Sequence, residues 1–289
     1  MTERSRELVR VIESQATSDG AGVKLRRSLG SSAFARLDPF LMLDEFFSDD
    51  PDDYLAGFPD HPHRGFETVT YMLDGRMQHR DHMGNTGDLG PGSVQWMTAG
   101  RGVIHSEMPQ QSEGRMRGFQ LWINLPAAEK MRPAEYRDIP AEDIPELKFD
   151  GGLARVIAGR VELNGTRQSG VVNSVPGGMA TDPLLIDLRL EAGRTLGLPV
   201  SRVYNALVYV YDGAISVGGR VVPGRSAGIF GAGDQVVLSA GAEGGRVLLL
   251  AGRPLNEPVV QYGPFVMNTR EQIEQAVADY RSGWLTEGV

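Results

Sequence analysis

The stretch Gly57-Phe-Pro-Asp-His-Pro-His-Arg-Gly-Phe-Glu-Thr68 runs directly into the strand-like segment Val69-Thr-Tyr-Met-Leu73. Its two histidines, His61 and His63, stand two positions apart. In an extended strand successive side chains point to opposite faces, so these two imidazoles lie on one face, roughly 6–7 Å apart along it. Pro62 fixes its own backbone φ and biases His61 toward extended geometry, which favours that arrangement.

A second pair with the same spacing follows, at His105 and Glu107. The chain has five histidines, and three of them fall in the two pairs. Two neighbouring strands would direct three imidazoles and one carboxylate at one point, a ligand set that suits iron, manganese, nickel, copper or catalytic zinc. Structural zinc sites are usually rich in cysteine, which this chain lacks. An ion that prefers six ligands would keep two positions open for chemistry.

Four segments of the chain resemble the pirin family of the cupin superfamily. The two most specific are His61–Thr68 and Gln95-Trp-Met-Thr-Ala-Gly-Arg-Gly-Val-Ile-His-Ser-Glu-Met-Pro109; the others are Asp38–Phe46 and Glu257–Thr269. Together they span nearly the whole chain. The resemblance implies an all-β fold with two cupin barrels (double-stranded β-helices) in tandem, which is a bicupin.

The resemblance also implies a ligand set. His61, His63, His105 and Glu107 would hold one Fe(II) ion, with other divalent first-row metals as alternatives, and Glu107 would be the catalytic base. In many cupins a glutamate at the spacing of Glu67 is a ligand instead. We favour Glu107, and we expect Glu67 to accept a hydrogen bond behind the ligands or to join a surface ion pair.

Pirin-family proteins are linked to flavonol 2,3-dioxygenase activity, so the resemblance implies an Fe-dependent dioxygenase whose substrates are quercetin, or a similar small aromatic molecule, and dioxygen. Fe(II) would bind the deprotonated 3-hydroxyl of quercetin, dioxygen would attack the electron-rich ring, and carbon monoxide would leave. Glu107 would take the hydroxyl proton, and the metal would lower the pKa of that hydroxyl.

The resemblance leaves open a protein that is not an enzyme. Pirins are also implicated as redox-responsive regulators that bind a transcription or metabolic partner protein. A change between Fe(II) and Fe(III) adds one unit of charge, which could bias a loop or interface. A third alternative is a sugar isomerase or storage-type cupin in which the metal only orients hydroxyls.

The composition is that of a globular protein of 289 residues, 41% hydrophobic and 23% charged. Its 37 glycines follow no repeating period, which favours many tight turns and an all-β architecture. A net charge of −8 speaks against binding to nucleic acid. The longest apolar stretch, 247–251, is too short to cross a membrane, and the charged first residues are not typical of a signal peptide. We therefore expect a cytoplasmic protein.

A weak internal repeat relates the two halves of the chain. Tyr71-Met-Leu-Asp-Gly75 resembles Tyr209-Val-Tyr-Asp-Gly213. Two copies of one β-barrel module are implied, and we expect an N-terminal domain over 1–135 and a C-terminal domain over 136–289. No histidine follows His105. The second barrel therefore cannot rebuild the imidazole site, and we expect it to be free of metal.

One helix is predicted, at the end of the chain and within the second domain. Thr269-Arg-Glu-Gln272 matches a capping box, in which two side chains satisfy backbone N–H groups left free at the helix start. Ile273, Val277, Tyr280 and Trp284 then recur at helical spacing. We expect this stripe to pack on a sheet.

The other elements follow from local pattern. Region 126–149, which contains several prolines, is expected to be a loop and linker. His79 and His82 are three positions apart, which on a strand places them on opposite faces, and both are expected to be solvated bystanders. Alternating apolar and β-branched residues predict strands over 66–73, 93–98, 103–108, 119–125, 153–161, 184–190, 206–211, 215–222, 235–239 and 246–251.

Overall fold

The structure is a computed structural model that describes residues 4–32, 35–163, 165–175 and 177–287. The fold is mostly β, as the glycine content and the alternating segments predict. In chain order the elements are β1 Leu8–Glu13, β2 Gln15–Asp19, β3 Val23–Leu29, β4 Phe40–Ser48, β5 Phe58–His63, β6 Phe66–Asp74, β7 Met77–Asp81, β8 Thr86–Leu89, β9 Val94–Thr98, β10 Val103–Pro109, β11 Met116–Asn124, β12 Glu135–Ile139, β13 Glu146–Phe149, β14 Gly152–Ala158, β15 Arg160–Leu163, β16 Thr166–Ser169, β17 Leu184–Leu190, β18 Thr195–Pro199, β19 Asn205–Val217, β20 Arg220–Val222, β21 Ser226–Phe230, β22 Gln235–Gly252, β23 Val260–Tyr262, β24 Phe265–Met267 and α1 Arg270–Ser282.

The chain divides into two compact units, each made of separate segments. The histidine unit comprises 16–31, 40–141 and 255–289, and the apolar unit comprises 1–15, 32–39 and 142–254. The expected domain spans, 1–135 and 136–289, differ from these units at both ends of the chain. Strand β1 lies with the second half because it pairs with β21, and the terminal helix lies with the first half because it packs beside β24.

The histidine unit contains two antiparallel sheets and a hairpin. One sheet has the order β12-β9-β6-β11-β4-β3-β2, the other the order β5-β10-β7-β8, and β23 pairs with β24. An apolar cluster draws Leu25, Phe46 and Met72 from the first sheet and Met77 and Leu89 from the second. The two sheets therefore form the walls of a barrel whose inward positions alternate along each strand.

The apolar unit is built on a nine-stranded antiparallel sheet, along the path β1-β21-β19-β22-β17-β14-β13 with β18 and β20 paired beside it. Aliphatic side chains such as Ile186, Val208 and Leu249 fill its interior and are fully buried. In a second segment of the internal repeat, Thr98-Ala-Gly100 resembles Gly231-Ala-Gly233. This offset of 133 aligns His105 with Leu238 and Glu107 with Ala240, and Leu238 and Ala240 both belong to the apolar cluster. That the second barrel is free of metal stays a prediction from the sequence.

Several expected elements differ in extent. Segments 206–211 and 215–222 fall in β19 and β20, and segments 235–239 and 246–251 are one strand, β22, because the glycines between them are accommodated by bulges rather than a turn. The loop expected over 126–149 is wrong in part, since it carries β12 and β13. Its prolines stand just outside these strands, where no ladder N–H is needed. No helix among the described residues is long and apolar enough to cross a membrane.

The terminal helix forms with the predicted cap. The Thr269 hydroxyl accepts from the Gln272 backbone, and the Gln272 side chain accepts from the Thr269 backbone. The predicted stripe is only partly right: Ile273 is buried, but Tyr280 is 41% and Trp284 63% exposed. The helix ends at Gly283, which has a positive φ, so Trp284 leaves the helical spacing and starts a separate 3-10 turn.

Replacing Thr269 by alanine should lower the free energy of unfolding by about 1 kcal/mol, since a backbone donor at the helix start loses its acceptor. Thr269→Ser keeps the oxygen and is the matched control. Chemical denaturation with the fluorescence of the chain's tryptophans measures both. Equal loss in the two variants would show that the methyl group matters rather than the cap.

Candidate metal centre

The antiparallel pairing of β5 with β10 brings the two sequence pairs together. His105 lies directly opposite His61, and Val103 lies opposite His63. Because side chains alternate along a strand, the three imidazoles project from one face of this strand pair, as the spacing of two predicts. Their ring nitrogens lie within 4.8 Å of one another.

The three imidazoles form a compact, mostly buried group. The ring of His61 lies 4.3 Å from that of His105 and 4.7 Å from that of His63, centroid to centroid, and the remaining pair is 4.9 Å apart. His63 is 3% and His105 1% exposed, while His61 is half-buried. The rings of Phe66 and Trp122 meet the His63 ring at 5.0 and 5.2 Å and hold it in place.

In His61 and His105 the Nδ1 atom is engaged by a hydrogen bond, which leaves Nε2 to face the centre. His61 Nδ1 lies 2.8 Å from the carbonyl oxygen of Pro59 and donates to it, so Nε2 carries the lone pair. That Nε2 lies 3.1 Å from His63 Nε2. His105 Nε2 is buried without a hydrogen-bond partner among the described residues. Converging imidazole nitrogens with one such orphan fit a first-row metal ion.

Burial sets the charge of this group. It holds the pKa of His63 and His105 well below the usual value, and the neighbouring imidazoles lower both further. Both rings are therefore neutral at pH 7. Neutral imidazole is the form that ligates a metal, because only then does a ring nitrogen present its lone pair.

Glu107 lies in the same cavity but is not part of the three-histidine group. Its carboxylate accepts one hydrogen bond at each oxygen, from Thr70 Oγ1 at 2.7 Å and from Gln120 Nε2 at 2.8 Å. A bulge between His105 and Glu107 places Glu107 opposite Phe58 rather than Pro59. Pro59 has no N–H to contribute to the ladder, which accounts for the bulge at this point. That Glu107 is a metal ligand stays a prediction.

His79 is not the solvated bystander expected from the sequence. It is fully buried, its Nδ1 lies 3.3 Å from His105 Nδ1, and its ring stacks on Tyr136 at 4.6 Å. Its Nε2 lies 3.7 Å from a carboxylate oxygen of Asp81. The sequence feature that could have indicated this burial is the alternation in β7. Met77 and His79 are two positions apart and both are buried, whereas Gln78 between them is more exposed.

The tautomers of these two rings are linked. If His105 presents Nε2 to a metal, its proton sits on Nδ1 and is donated to His79 Nδ1. His79 then carries its own proton on Nε2, which faces Asp81. A carboxylate behind an imidazole is the arrangement that fixes the orientation of a ligating histidine, here with a second imidazole in between.

Glu67 is buried rather than on the surface, so the surface ion pair considered for it is wrong. It is 2% exposed, and one carboxylate oxygen accepts from Thr98 Oγ1 at 2.8 Å. Burial raises the pKa of Glu67 to about 7, against the lowering effect of the Thr98 hydrogen bond. Glu67 is not part of the three-histidine group.

A cavity of about 590 Å³ opens beside the histidines, entirely within the histidine unit. Its lining includes His61, His63 and Glu107, together with Gln261, Gly263 and Pro264 from near the end of the chain. Apolar side chains such as Trp122 supply most of the remaining wall. The volume suits a small aromatic molecule, because ligand pockets typically measure about 300–1,000 Å³.

Two family models match this chain. The model for pirin matches residues 22–123, and the model for the pirin C-terminal cupin domain matches residues 185–286. The chain belongs to the pirin family. The two cupin domains expected from the sequence are thereby confirmed for this pirin, and the expected boundary at 135–136 falls between the matched ranges.

Relatives of this pirin match over almost their full length. A Pseudomonas aeruginosa protein named "Putative quercetin 2,3-dioxygenase" is 53% identical over 287 residues, which is 98% of this chain and 99% of the relative. Human pirin is 40% identical over 285 residues, 96% of this chain and 93% of the relative. A crystal structure of quercetin 2,3-dioxygenase from Acinetobacter baumannii matches with a TM-score of 0.87 at 34% identity, covering 98% of this chain and 99% of that one.

The pKa of Glu67 has a consequence for stability. In the folded chain this pKa is about 7, against 4.5 for the ordinary side chain. Between pH 4.5 and pH 7 the folded chain therefore holds a proton that the unfolded chain has lost, and folding takes up that proton. The stability that the neutral form contributes is present below pH 4.5 and is lost as the pH rises through 7. Glu67→Gln should therefore raise the free energy of unfolding at pH 8 by up to about 3 kcal/mol, and by much less at pH 5.

Chemical denaturation of metal-free protein at the two pH values measures this difference. Glu113→Gln, at an exposed position, is the control and should change stability little at either pH. If the free energies of unfolding of Glu67→Gln and the unaltered chain differ by the same amount at pH 5 and at pH 8, the expectation is contradicted.

Proposed function

We propose that this pirin is a mononuclear iron protein with flavonol 2,3-dioxygenase activity, acting on quercetin or a closely similar substrate. The observation that carries the proposal is the convergence of His61, His63 and His105 on one point, at the wall of a largely apolar cavity. The names of the Pseudomonas and Acinetobacter relatives support the same reaction class. The identity of the metal is part of the proposal.

The residues divide the work of such a reaction. His61, His63 and His105 would hold the ion, with Glu107 as a fourth ligand. When bound, Fe(II) supplies Lewis acidity toward the flavonol 3-hydroxyl and an electron source for dioxygen. Glu107 would accept the 3-hydroxyl proton; its position beside the histidines in the same cavity supports this role. Apolar walls exclude water from the opened ring.

Thr70 and Gln120 position the base. Each donates to one oxygen of Glu107, so the carboxylate is held in a fixed plane before substrate arrives. A base fixed in this way needs little reorganisation when it takes the proton. Both donors come from neighbouring strands, β6 and β11, in direct register.

The proposal is tested by loading the purified chain with Fe(II) and adding quercetin and dioxygen. We expect one carbon monoxide released for each dioxygen consumed. His105→Ala should hold little iron and turn over no quercetin. Glu107→Gln keeps the size and shape of the side chain, but the amide cannot take up the substrate proton. The kcat of this variant should therefore fall by about 10²- to 10⁴-fold. Iron-loaded wild-type protein that consumes no dioxygen with quercetin would overturn the proposal.

His79 should set the strength of metal binding from behind His105. His79→Gln removes the imidazole that accepts the His105 Nδ1 proton, so metal affinity should fall about 10- to 100-fold. Competition with a coloured chelator measures it. His82→Gln is the matched control, because the His82 ring accepts a hydrogen bond from the Ile104 backbone N–H rather than from one of the three ligand histidines. The metal affinity of His82→Gln should equal that of the unaltered chain. Equal affinity in both variants would contradict this role.

A further inference from the structure

A second polar site lies in the wall of the same cavity, away from the histidines. Arg27 on β3 and Asp44 on β4 both line the cavity. Asp44 is only 1% exposed, and Arg27 is half-buried. Neither residue takes part in the chemistry assigned to the metal centre, so their presence in the cavity wall needs its own account.

The two sites are joined by a row of polar side chains in strict register. Arg27 lies opposite Asp44, Asp44 lies opposite Gln120, and Gln120 lies opposite Thr70 on four adjacent strands. Residues in direct register project from the same face of a sheet. Gln120 donates to Glu107, and Arg27 stands two strand spacings from Gln120, or about 10 Å. A ligand that reaches from Glu107 to Arg27 must therefore be long.

The hydrogen bonds of Arg27 leave one edge of its guanidinium for a ligand. Nε donates to one oxygen of Asp44 at 2.8 Å, and Nη2 donates to the other at 2.6 Å and to Asp19 at 2.9 Å. These bonds use Nε and Nη2 and leave Nη1. Each Asp44 oxygen accepts one of them and keeps a further acceptor position.

Charge decides what kind of group would fit. Asp19 and Asp44 together place two carboxylates against one guanidinium, so a ligand carboxylate or phosphate would be repelled. A neutral hydroxyl avoids this repulsion, and it can both donate to Asp44 and accept from Arg27. Burial raises the pKa of Asp44 to about 6, against the lowering effect of Arg27, so most of the population carries an ionised, accepting carboxylate at pH 7.

The space between the sites suits an aromatic ring. Met42, Phe46 and Trp122 line the cavity along the same strands, β4 and β11. Flat or flexible apolar side chains of this kind pack against ring faces. The cavity thus offers a chelating end, an apolar middle and a hydroxyl-binding end.

We propose that Arg27 and Asp44 form a subsite for the hydroxylated phenyl ring of a flavonol, with Arg27 Nη1 donating to one ring hydroxyl and Asp44 accepting from its neighbour. The inference rests on the proposed function, since it assumes that the 3-hydroxyl end of the flavonol lies at the histidines. The subsite would make the protein prefer flavonols that carry two adjacent hydroxyls on the phenyl ring.

Three flavonols that differ only on that ring test the subsite. Quercetin carries two adjacent hydroxyls there, kaempferol carries one and galangin carries none. The metal-loaded protein is titrated with each in the absence of dioxygen, so binding is measured without turnover. We expect quercetin to bind at least about tenfold more tightly than galangin, with kaempferol between them, because hydrogen bonds to charged groups strengthen binding on this scale.

Two shape-conserving variants locate the effect. Arg27→Lys keeps the charge opposite Asp44 but loses the fork of donors, and Asp44→Asn keeps the shape but weakens the acceptor. In both we expect the preference for quercetin over galangin to fall toward one, with galangin affinity unchanged. Arg76→Lys is the control, because Arg76 pairs with Asp88 at the surface and should keep the full preference.

Several outcomes would overturn the subsite. They are wild-type protein that binds galangin as tightly as quercetin, variants that keep the preference, and variants that weaken both flavonols equally. Because no dioxygen is present, these results are independent of turnover. A chain that shows the preference but releases no carbon monoxide would refute the proposed activity and leave the subsite intact.

Discussion

The antiparallel pairing of β5 with β10 is the constraint on which the candidate centre depends. With His105 opposite His61, three imidazoles stand on one face. A slip of one residue in either strand would turn its histidines to the opposite face and separate them. The bulge beside Pro59 preserves this register for the histidines while shifting Glu107, whose carboxylate is instead tied to Thr70 and Gln120 of the other sheet.

Much of this arrangement could be predicted from the sequence, because it follows from local periodicity. The spacing of two in the pairs His61/His63 and His105/Glu107 identifies the inward face, and the capping box locates the helix start at Thr269. His79 escaped prediction for a physical reason. Alternation in β7 could indicate only that His79 faces inward, and its contact with His105 exists only because β7 pairs with the other edge of β10.

The same limit applies to the far wall of the cavity. Arg27 and Asp44 are 17 positions apart and look like ordinary surface charges in the sequence. Their burial becomes apparent only when β3 and β4 pair and the row that leads to Thr70 is assembled. Capping and alternation are properties of a few consecutive residues, whereas a polar row across strands is a property of register.

The two units use their interiors differently. In the apolar unit aliphatic side chains fill the space between the strands. In the histidine unit polar side chains cross the sheet from Arg27 to Thr70, and each forms a hydrogen bond with another polar side chain. The apolar unit thus has a packed aliphatic core, whereas the interior of the histidine unit keeps a cavity with polar groups that can bind a ligand.

The histidine unit is interrupted in the chain by residues 142–254, which form most of the apolar unit. Gln261, Gly263 and Pro264 line the cavity, and Gln261 follows His61 by 200 positions (261 − 61). On the ribosome, therefore, the imidazoles emerge long before the last residues that line their cavity. The cavity can be completed only after the intervening unit has been translated, so its assembly is a late event in the biogenesis of the chain.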